Sequence, residues 1–301
     1  MINKSTKTIV CFGEILWDIF PKGRKIGGAP FNVAYNLNKM GIDARMISRV
    51  GNDDLGKELL EKISNANISV NECQIDPNHD TGTVIAKIDE NNEAHYTIVE
   101  PVAWDFIEWK DEYVNLVKNT EAFVFGSLGT RNNISKQTLQ KLLDIAPYKV
   151  FDINLRPPFI SQEDIVQFMK KSDLVKMNKS ELRQLLDWIG VEYVTEEKAV
   201  QYVRKYFNLE AIIITKGSKG AVYHDKDNYI YAEAIKVAIR DTVGSGDSFL
   251  AGFLAKKVKG SSVNESIENA ISLGAFITNS EGACPDYSLE TFEKFKTSHK
   301  L

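Results

Sequence analysis

The sequence predicts an α/β protein with a mainly parallel sheet covered by helices. From residue 111 onward, short β-branched runs and helical periodicities take turns, the pattern of parallel strands joined by crossover helices. Before that, the apolar run Thr-Ile-Val-Cys-Phe at 8–12 reads as a buried first strand. One stretch departs from the rhythm. Residues 81–88 and 93–99 alternate apolar and polar around Asp89-Glu90-Asn91-Asn92, a hairpin standing off the main sheet.

Composition narrows the function. The 301 residues are 43% hydrophobic and 26% charged, ordinary for a globular chain able to bury a large core. A formal net charge of −4 without a basic block gives no support for a nucleic-acid partner. No apolar run approaches the roughly 18 residues of a membrane span, and the start is polar, so no membrane contact and a cytoplasmic location are expected. Cys11, Cys73 and Cys284 are far apart and form no C-x-x-C, and the four histidines are scattered. Neither a disulfide framework nor a zinc site is expected.

In chain order, the first strand runs into Gly13-Glu14-Ile15-Leu16-Trp17-Asp18. A dinucleotide site would show G-x-G-x-x-G here, and only Gly13 is present, which disfavours a nicotinamide enzyme. Asp18, among apolar neighbours, reads equally as a strand-end aspartate or as a carboxylate facing a ligand. Gly27-Gly28-Ala29-Pro30 opens a helix over 31–40, with Pro30 suited to the first turn and Gly41 to the C-terminal cap. Asn32 beside the glycine pair is either a solvated amide or one that both donates to and accepts from a polyol. A strand over 44–50 and a helix over 55–64 follow. With the segment at about 14–26, the hairpin region at about 80–101 would make a lid over a site. Trp104, Phe106 and Trp109 read mainly as core. Strands over 122–125, 149–153, 174–177 and 211–215 then alternate with helices over 135–145, 163–170, 179–188 and 197–206. No repeat or linker divides the chain, so a single domain over 1–301 is expected.

Ligands of such sheets sit beyond the C-terminal ends of the strands. Asn178, with Glu181 three residues on, is a capping box, or an amide and carboxylate ordering Mg²⁺ and its waters around phosphates. Thr215-Lys216-Gly217-Ser218-Lys219-Gly220 is a hairpin turn or a glycine loop against a nucleotide; it is not a P-loop. Asn154 and Arg156 precede a diproline, and the arginine would join a surface ion pair or clamp phosphate or sugar oxygens.

The densest signal is Asp241-Thr242-Val243-Gly244-Ser245-Gly246-Asp247, just before a helix over 248–257. Helix-start amides lack partners and lie at the positive dipole end, a ready anion site. An aspartate inside such a site can meet a hydroxyl of the same ligand, which points to phosphoryl transfer onto an alcohol. Taken alone, the stretch reads first as ordinary capping by Asp and Ser after a glycine turn. A later helix over 263–280 carries Ala270, Gly274 and Ala275 on one face, which predicts close helix packing.

Taken together, these stations resemble the ribokinase-like (PfkB) carbohydrate kinase family almost end to end. Gly27-Gly28-Ala29-Pro30-Phe31-Asn32 and Asp241 to Asp247 look like its two signature segments; Asn178-x-x-Glu181 and Thr215-x-Gly217-x-x-Gly220 look like its metal and ATP motifs. Ser245 stands where the family more often has alanine. The resemblance implies a three-layer α/β/α body with a β lid and an ATP- and Mg²⁺-dependent sugar kinase. Asp247 would be the base, and the amides of Gly244, Ser245, Gly246 and Asp247 the anion hole. Asp18, Gly28 and Asn32 would hold the sugar, with Asn154, Arg156 and Arg131 as further candidates for the sugar or its phosphate. Thr215, Gly217 and Gly220 would contact ATP, Asn178 and Glu181 would order Mg²⁺ through water, and Asp241 would hold a monovalent cation such as K⁺. Gly13-Glu14-Ile15-Leu16-Trp17-Asp18, Pro101-Val102-Ala103-Trp104-Asp105 and Phe125-Gly126-Ser127-Leu128 look most like the fructokinase branch. Ribose, 2-keto-3-deoxygluconate, tagatose phosphate or a nucleoside are the alternative acceptors, and a non-catalytic sugar-binding regulator is the alternative class. Two subunits would pair, if at all, through the lid.

Overall fold

Strand β1 (Thr8–Phe12) forms where the sequence predicts it, and its side chains divide between two apolar layers. Ile9 and Cys11 join one core, Val10 and Phe12 the other, the period of two expected of a strand covered on both faces. The computed structural model describes residues 7–21, 23–88 and 94–299.

After β1 come β2 (Leu16–Phe20), β3 (Gly23–Gly27), α1 (Ala29–Lys39), β4 (Asp43–Gly51), α2 (Asp54–Asn65) and β5 (Cys73–Asp76). Strands β6 (Thr83–Ile88) and β7 (Ala94–Ile98) follow, then α3 (Glu112–Lys118), β8 (Ala122–Gly126), α4 (Asn133–Leu143) and β9 (Lys149–Asp152). Next are α5 (Gln162–Lys171), β10 (Leu174–Asn178), α6 (Lys179–Trp188), α7 (Glu196–Tyr206) and β11 (Ala211–Thr215). The chain closes with β12 (Ala221–His224), β13 (Tyr229–Ala232), α8 (Ser245–Lys257), α9 (Val263–Thr278) and α10 (Leu289–Ser298). Elements β5, β13, α3 and α10 were not expected from the sequence; each is ten residues or fewer, so its periodicity is short.

The nine-stranded sheet has the order β13-β12-β11-β10-β9-β8-β1-β4-β5. It is parallel from β5 to β11, and β12 and β13 add antiparallel at one edge. From β1 the chain steps outward to β4 and β5, then returns to β8 on the opposite flank. That reversal opens a crevice beyond the C-terminal ends of β1 and β8, where such sheets bind ligands. Helices α1, α8 and α9 pack on one face and α4 to α7 on the other, giving three layers.

Helix α8 is buried without a break from Asp247 to Ala255. A helix apolar all round belongs inside a core. Against it α9 packs closely, as its small residues predict, and the Asn269 amide reaches across to donate to the Gly252 carbonyl at 2.8 Å.

The predicted lid is a second sheet of order β3-β2-β6-β7. It is mixed, since β2 and β6 run parallel while the other pairs are antiparallel. Alternation along β2 gives the lid two faces. Leu16, Asp18 and Phe20 line a cavity, while Trp17 points the other way and its indole N–H donates to the Leu55 carbonyl at 3.0 Å. The turn expected at 89–92 lies outside the described residues. Among the described residues, no helix is long and apolar enough to cross a membrane.

Candidate active site

The helix predicted to begin at Ser248 begins at Ser245, with Gly244 as N-cap at φ 73°. The first helical bond runs from the Ser248 N–H to the Gly244 carbonyl at 2.8 Å. Gly246 and Asp247 therefore lie within the first turn rather than ahead of it. No side chain caps this terminus. Ser245 N–H makes a long bond to the Thr242 carbonyl at 3.3 Å, while the amides of Gly244, Gly246 and Asp247 take no partner among the described residues. The Ser245 hydroxyl is turned away, receiving a hydrogen bond from Thr278 Oγ1 at 3.1 Å, so serine in place of alanine leaves the amides free.

Two cavities meet at this helix start. The first, about 480 Å³, lies between the lid and the sheet ends. Asp18, Gly28, Asn32, Asn154, Arg156 and Asp247 all line it, as do Asn178 and Glu181. The second, about 460 Å³, has apolar walls from Ile235, Val237, Ile239, Phe249 and Ile271, with Gly217 and Gly220 at its edge. Thr215, Thr242 and Gly246 belong to both, and Asp247 to the first alone.

The cavity beneath the lid is shaped by α1. Its N-cap, Gly28, sits at φ 109°, and a Cβ there would fall 2.3 Å from the Glu14 carbonyl oxygen, so only glycine fits. This tight turn delivers Asn32, 4% exposed, whose Nδ2 donates to Asp247 Oδ2 at 2.8 Å. Asp18 comes from β2, and burial pushes its carboxyl up to about 6, with Arg156 and Lys25 opposing and Asp241 adding. Asn154 holds φ 43°, a left-handed conformation that asparagine tolerates.

Burial pushes the Asp247 carboxyl up to about 6; the negative field of Asp152 adds to this, and Lys176, the Asn32 hydrogen bond and Arg156 oppose it. Lys176 and Asp152 also line this cavity, and sequence reasoning gave neither a role. Lys176 Nζ donates to both Asp152 oxygens at 2.8 and 2.7 Å, and both side chains are buried. Burial disfavours the ammonium, yet Asp152, Asp247 and Glu181 more than compensate and hold it above the ordinary lysine range. Gly246 leaves open the space beside it, since a Cβ there would sit 3.2 Å from Lys176 Nζ. Bare amides facing an ammonium make a cradle for an anion. The available signal was a lysine between the apolar residues Val175 and Met177 of strand β10.

The two readings of Asn178 and Glu181 are compatible. Asn178 Oδ1 accepts from Ser180 and Glu181 N–H, and Glu181 Oε2 accepts from Asn178 N–H at 2.7 Å, completing the capping box. Glu181 Oε1 also accepts from Leu155 N–H at 2.9 Å, fixing a carboxylate on the cavity wall. The loop at 216–220 is a hairpin turn joining β11 to β12 and also an edge of the second cavity. Asp241 takes Val243 N–H on one oxygen and Gly282 N–H on the other, both at 3.0 Å, and braces the loop before α8.

Arg131 does not reach either cavity. Its guanidinium makes a bidentate pair with Asp105 at 2.6 and 2.7 Å and packs over the Trp104 and Phe159 rings. The buried carboxylate across from it, 26 residues away in sequence, satisfies the charge that a phosphate was expected to meet.

Comparison with known proteins bears on this arrangement. The profile of the pfkB family carbohydrate kinases matches residues 9–290. A fructokinase of Rhizobium leguminosarum bv. trifolii is 30% identical over 264 residues, covering 82% of this chain and 78% of that one. In fold, the chain is similar to a fructokinase with bound ATP from Xylella fastidiosa, with a TM-score of 0.86 at 18% identity over 98% of this chain and 99% of that one. It is also similar to a fructokinase double mutant from Vibrio cholerae O395 in fructose-, ADP- and potassium-bound form, with a TM-score of 0.82 at 22% identity over 97% and 98%. Two cavities joined at a bare helix terminus, on a chain matched over nearly its whole length, identify it: this protein belongs to the pfkB family of carbohydrate kinases.

Proposed function

We propose that this sugar kinase is an ATP-dependent fructokinase, acting as one catalytic unit with the lid inserted in it. The observation that carries this reading is the pair of cavities meeting at the start of α8, with Asp247 facing only the polar one. The 30% identical fructokinase supports the choice of acceptor.

Asp18, Asn32 and the bare backbone at Gly28 would hold the sugar hydroxyls, with Asn154 and Arg156 closing the far wall. The base of ATP would lie in the apolar second cavity, its phosphates passing Thr215 and Gly220 toward Gly246. Asp247 accepts the proton of the attacking hydroxyl as its oxygen bonds to the γ-phosphorus; the bond from that phosphorus to the bridging oxygen breaks, and ADP leaves. The amides of Gly244, Ser245, Gly246 and Asp247 steady the charge on the transferring oxygens, chiefly the three without partners, and Lys176 adds a fixed cation beside them. Asp152 keeps that cation in place.

Among the described residues, no group of three His, Cys, Asp or Glu forms a metal cage. A single fixed carboxylate, Glu181, beside Asn178 suits Mg²⁺ held through waters and phosphates. When bound, Mg²⁺ would neutralise phosphate charge. Asp241 would hold a monovalent cation and stiffen the same loop. The reading includes a cytoplasmic setting, in keeping with three free cysteines, and pairing of two copies through the lid's edge strands.

ADP release measured across fructose, ribose, 2-keto-3-deoxygluconate, a nucleoside and a phosphorylated hexose tests the proposal. Fructose should give the highest kcat/KM. A phosphorylated sugar ahead of it would move the reading toward Arg156 as a phosphate clamp. No ADP with any acceptor would favour a sugar-binding regulator.

A further inference from the structure

The segment after α9 is stitched to α1 by side-chain hydrogen bonds. Tyr35 Oη donates to the Pro285 carbonyl at 2.9 Å, and Tyr287 Oη donates to Asn36 Oδ1 at 2.9 Å. Asn36 Nδ2 donates to its own helix at Asn32 O, 2.8 Å, and to the Ala283 carbonyl at 3.3 Å. Between these ties, Cys284 Sγ lies 3.3 Å from Asn32 Oδ1. The other end of the same amide, Asn32 Nδ2, lies 2.8 Å from Asp247 Oδ2.

An asparagine amide fits its space almost equally well in two orientations related by a half-turn. Only one of them presents N–H to a carboxylate; the other sets oxygen against oxygen. Asn32 lies 4% exposed, so water has little access to correct a wrong orientation.

We propose that Cys284 is a positioning residue for the acceptor site: its S–H, donated to Asn32 Oδ1, locks the amide so that Nδ2 faces Asp247. The role requires a protonated thiol. Burial raises the Cys284 pKa well above 9, and the negative fields of Asp247 and Asp18 add to it. Nothing in the sequence around Gly282-Ala283-Cys284-Pro285 signals this, because the partner lies 252 residues away. The inference rests on the reading of Asn32 and Asp247 as the acceptor-holding pair.

Cys284→Ser, which keeps a donor, and Cys284→Ala, which removes it, form the test, with fructose as the acceptor. One hydrogen bond of this kind corresponds to roughly a three- to tenfold change. Cys284→Ala should raise the fructose KM and the calorimetric fructose Kd by that factor and leave the ATP KM unchanged; Cys284→Ser should stay within about threefold of the parent. A role in packing alone predicts the reverse order, alanine tolerated at least as well as serine, and that result overturns the proposal. In an Asn32→Ala background the alanine change at 284 should add nothing; an undiminished effect there also overturns it. Should Cys284→Ala not fold, Cys284→Val fills the space without a donor and replaces it. The Kd comparison stands whether or not fructose is phosphorylated. A parent protein that binds fructose without releasing ADP defeats the kinase assignment, while equal Kd values for the Ala and Ser variants defeat only the role of Cys284.

Discussion

The two walls of the cavity beneath the lid are built to different standards of burial. On the sheet side, Asp247, Asp152, Lys176 and Glu181 are each below 10% exposed and form one coupled set of charges. On the lid side Asp18 is half-buried, and Tyr96, on the same cavity, is 58% exposed. The first wall comes from strand ends and a core helix that cannot move without disturbing the whole molecule; the second is a four-stranded sheet with two edges. Fixed charges in a dry site are worth most where charge develops during reaction, and that work needs the rigid wall. Recognition of a polyol hydroxyl tolerates a wetter, lighter one.

The sharpest way to break this contrast is at Asp247. Asp247→Asn should lower kcat roughly 100- to 10,000-fold, the usual contribution of a general base. The fold should survive, because a neutral amide relieves the burial of a charge, and circular dichroism with a fructose titration would check it. Turnover near that of the parent would remove Asp247 from the chemistry.

A smaller effect follows from pH. As the proposed base, Asp247 must be ionised, and its carboxyl is raised to about 6, so activity should be complete above that value and lost as pH falls through it. At saturating fructose, log kcat should drop about one unit per pH unit below 6. Asp18 titrates in the same range, so the profile belongs in Asp18→Asn as well. An acid limb that survives there lies on the buried wall; one that disappears lies on the lid.

The mildest change is Asp18→Asn itself. Loss of a charged hydrogen-bond partner should raise the fructose KM about tenfold or more, with the ATP KM unchanged. If kcat fell more than KM rose, the lid would be part of the chemistry and the contrast between the walls would fail.

Most of the candidate site was legible because it is written in local turns. Gly28 ahead of Asn32, Gly244 and Gly246 ahead of Asp247, and Asn178 three residues before Glu181 each show glycine or capping chemistry within a few residues. The lid was legible from alternation at 81–99, while the strands at 16–20 and 23–27 were not, since Asp18, Lys25 and two glycines interrupt them. Arg131 shows the reverse error. Its charge drew attention, and a distant aspartate and two aromatic rings had already taken it up.

The amino-acid sequence by itself determined the strand-and-helix rhythm, the lid hairpin and the glycine turns, because each depends on periodicity or backbone freedom within a short window. The tertiary structure alone decided which charges share one cavity. Lys176 reaches Asp152 across neighbouring strands, and Cys284 reaches Asn32 from the far end of the chain. Such pairs carry no local signature, because pairing depends on distances in space that are set only once the sheet has ordered its strands.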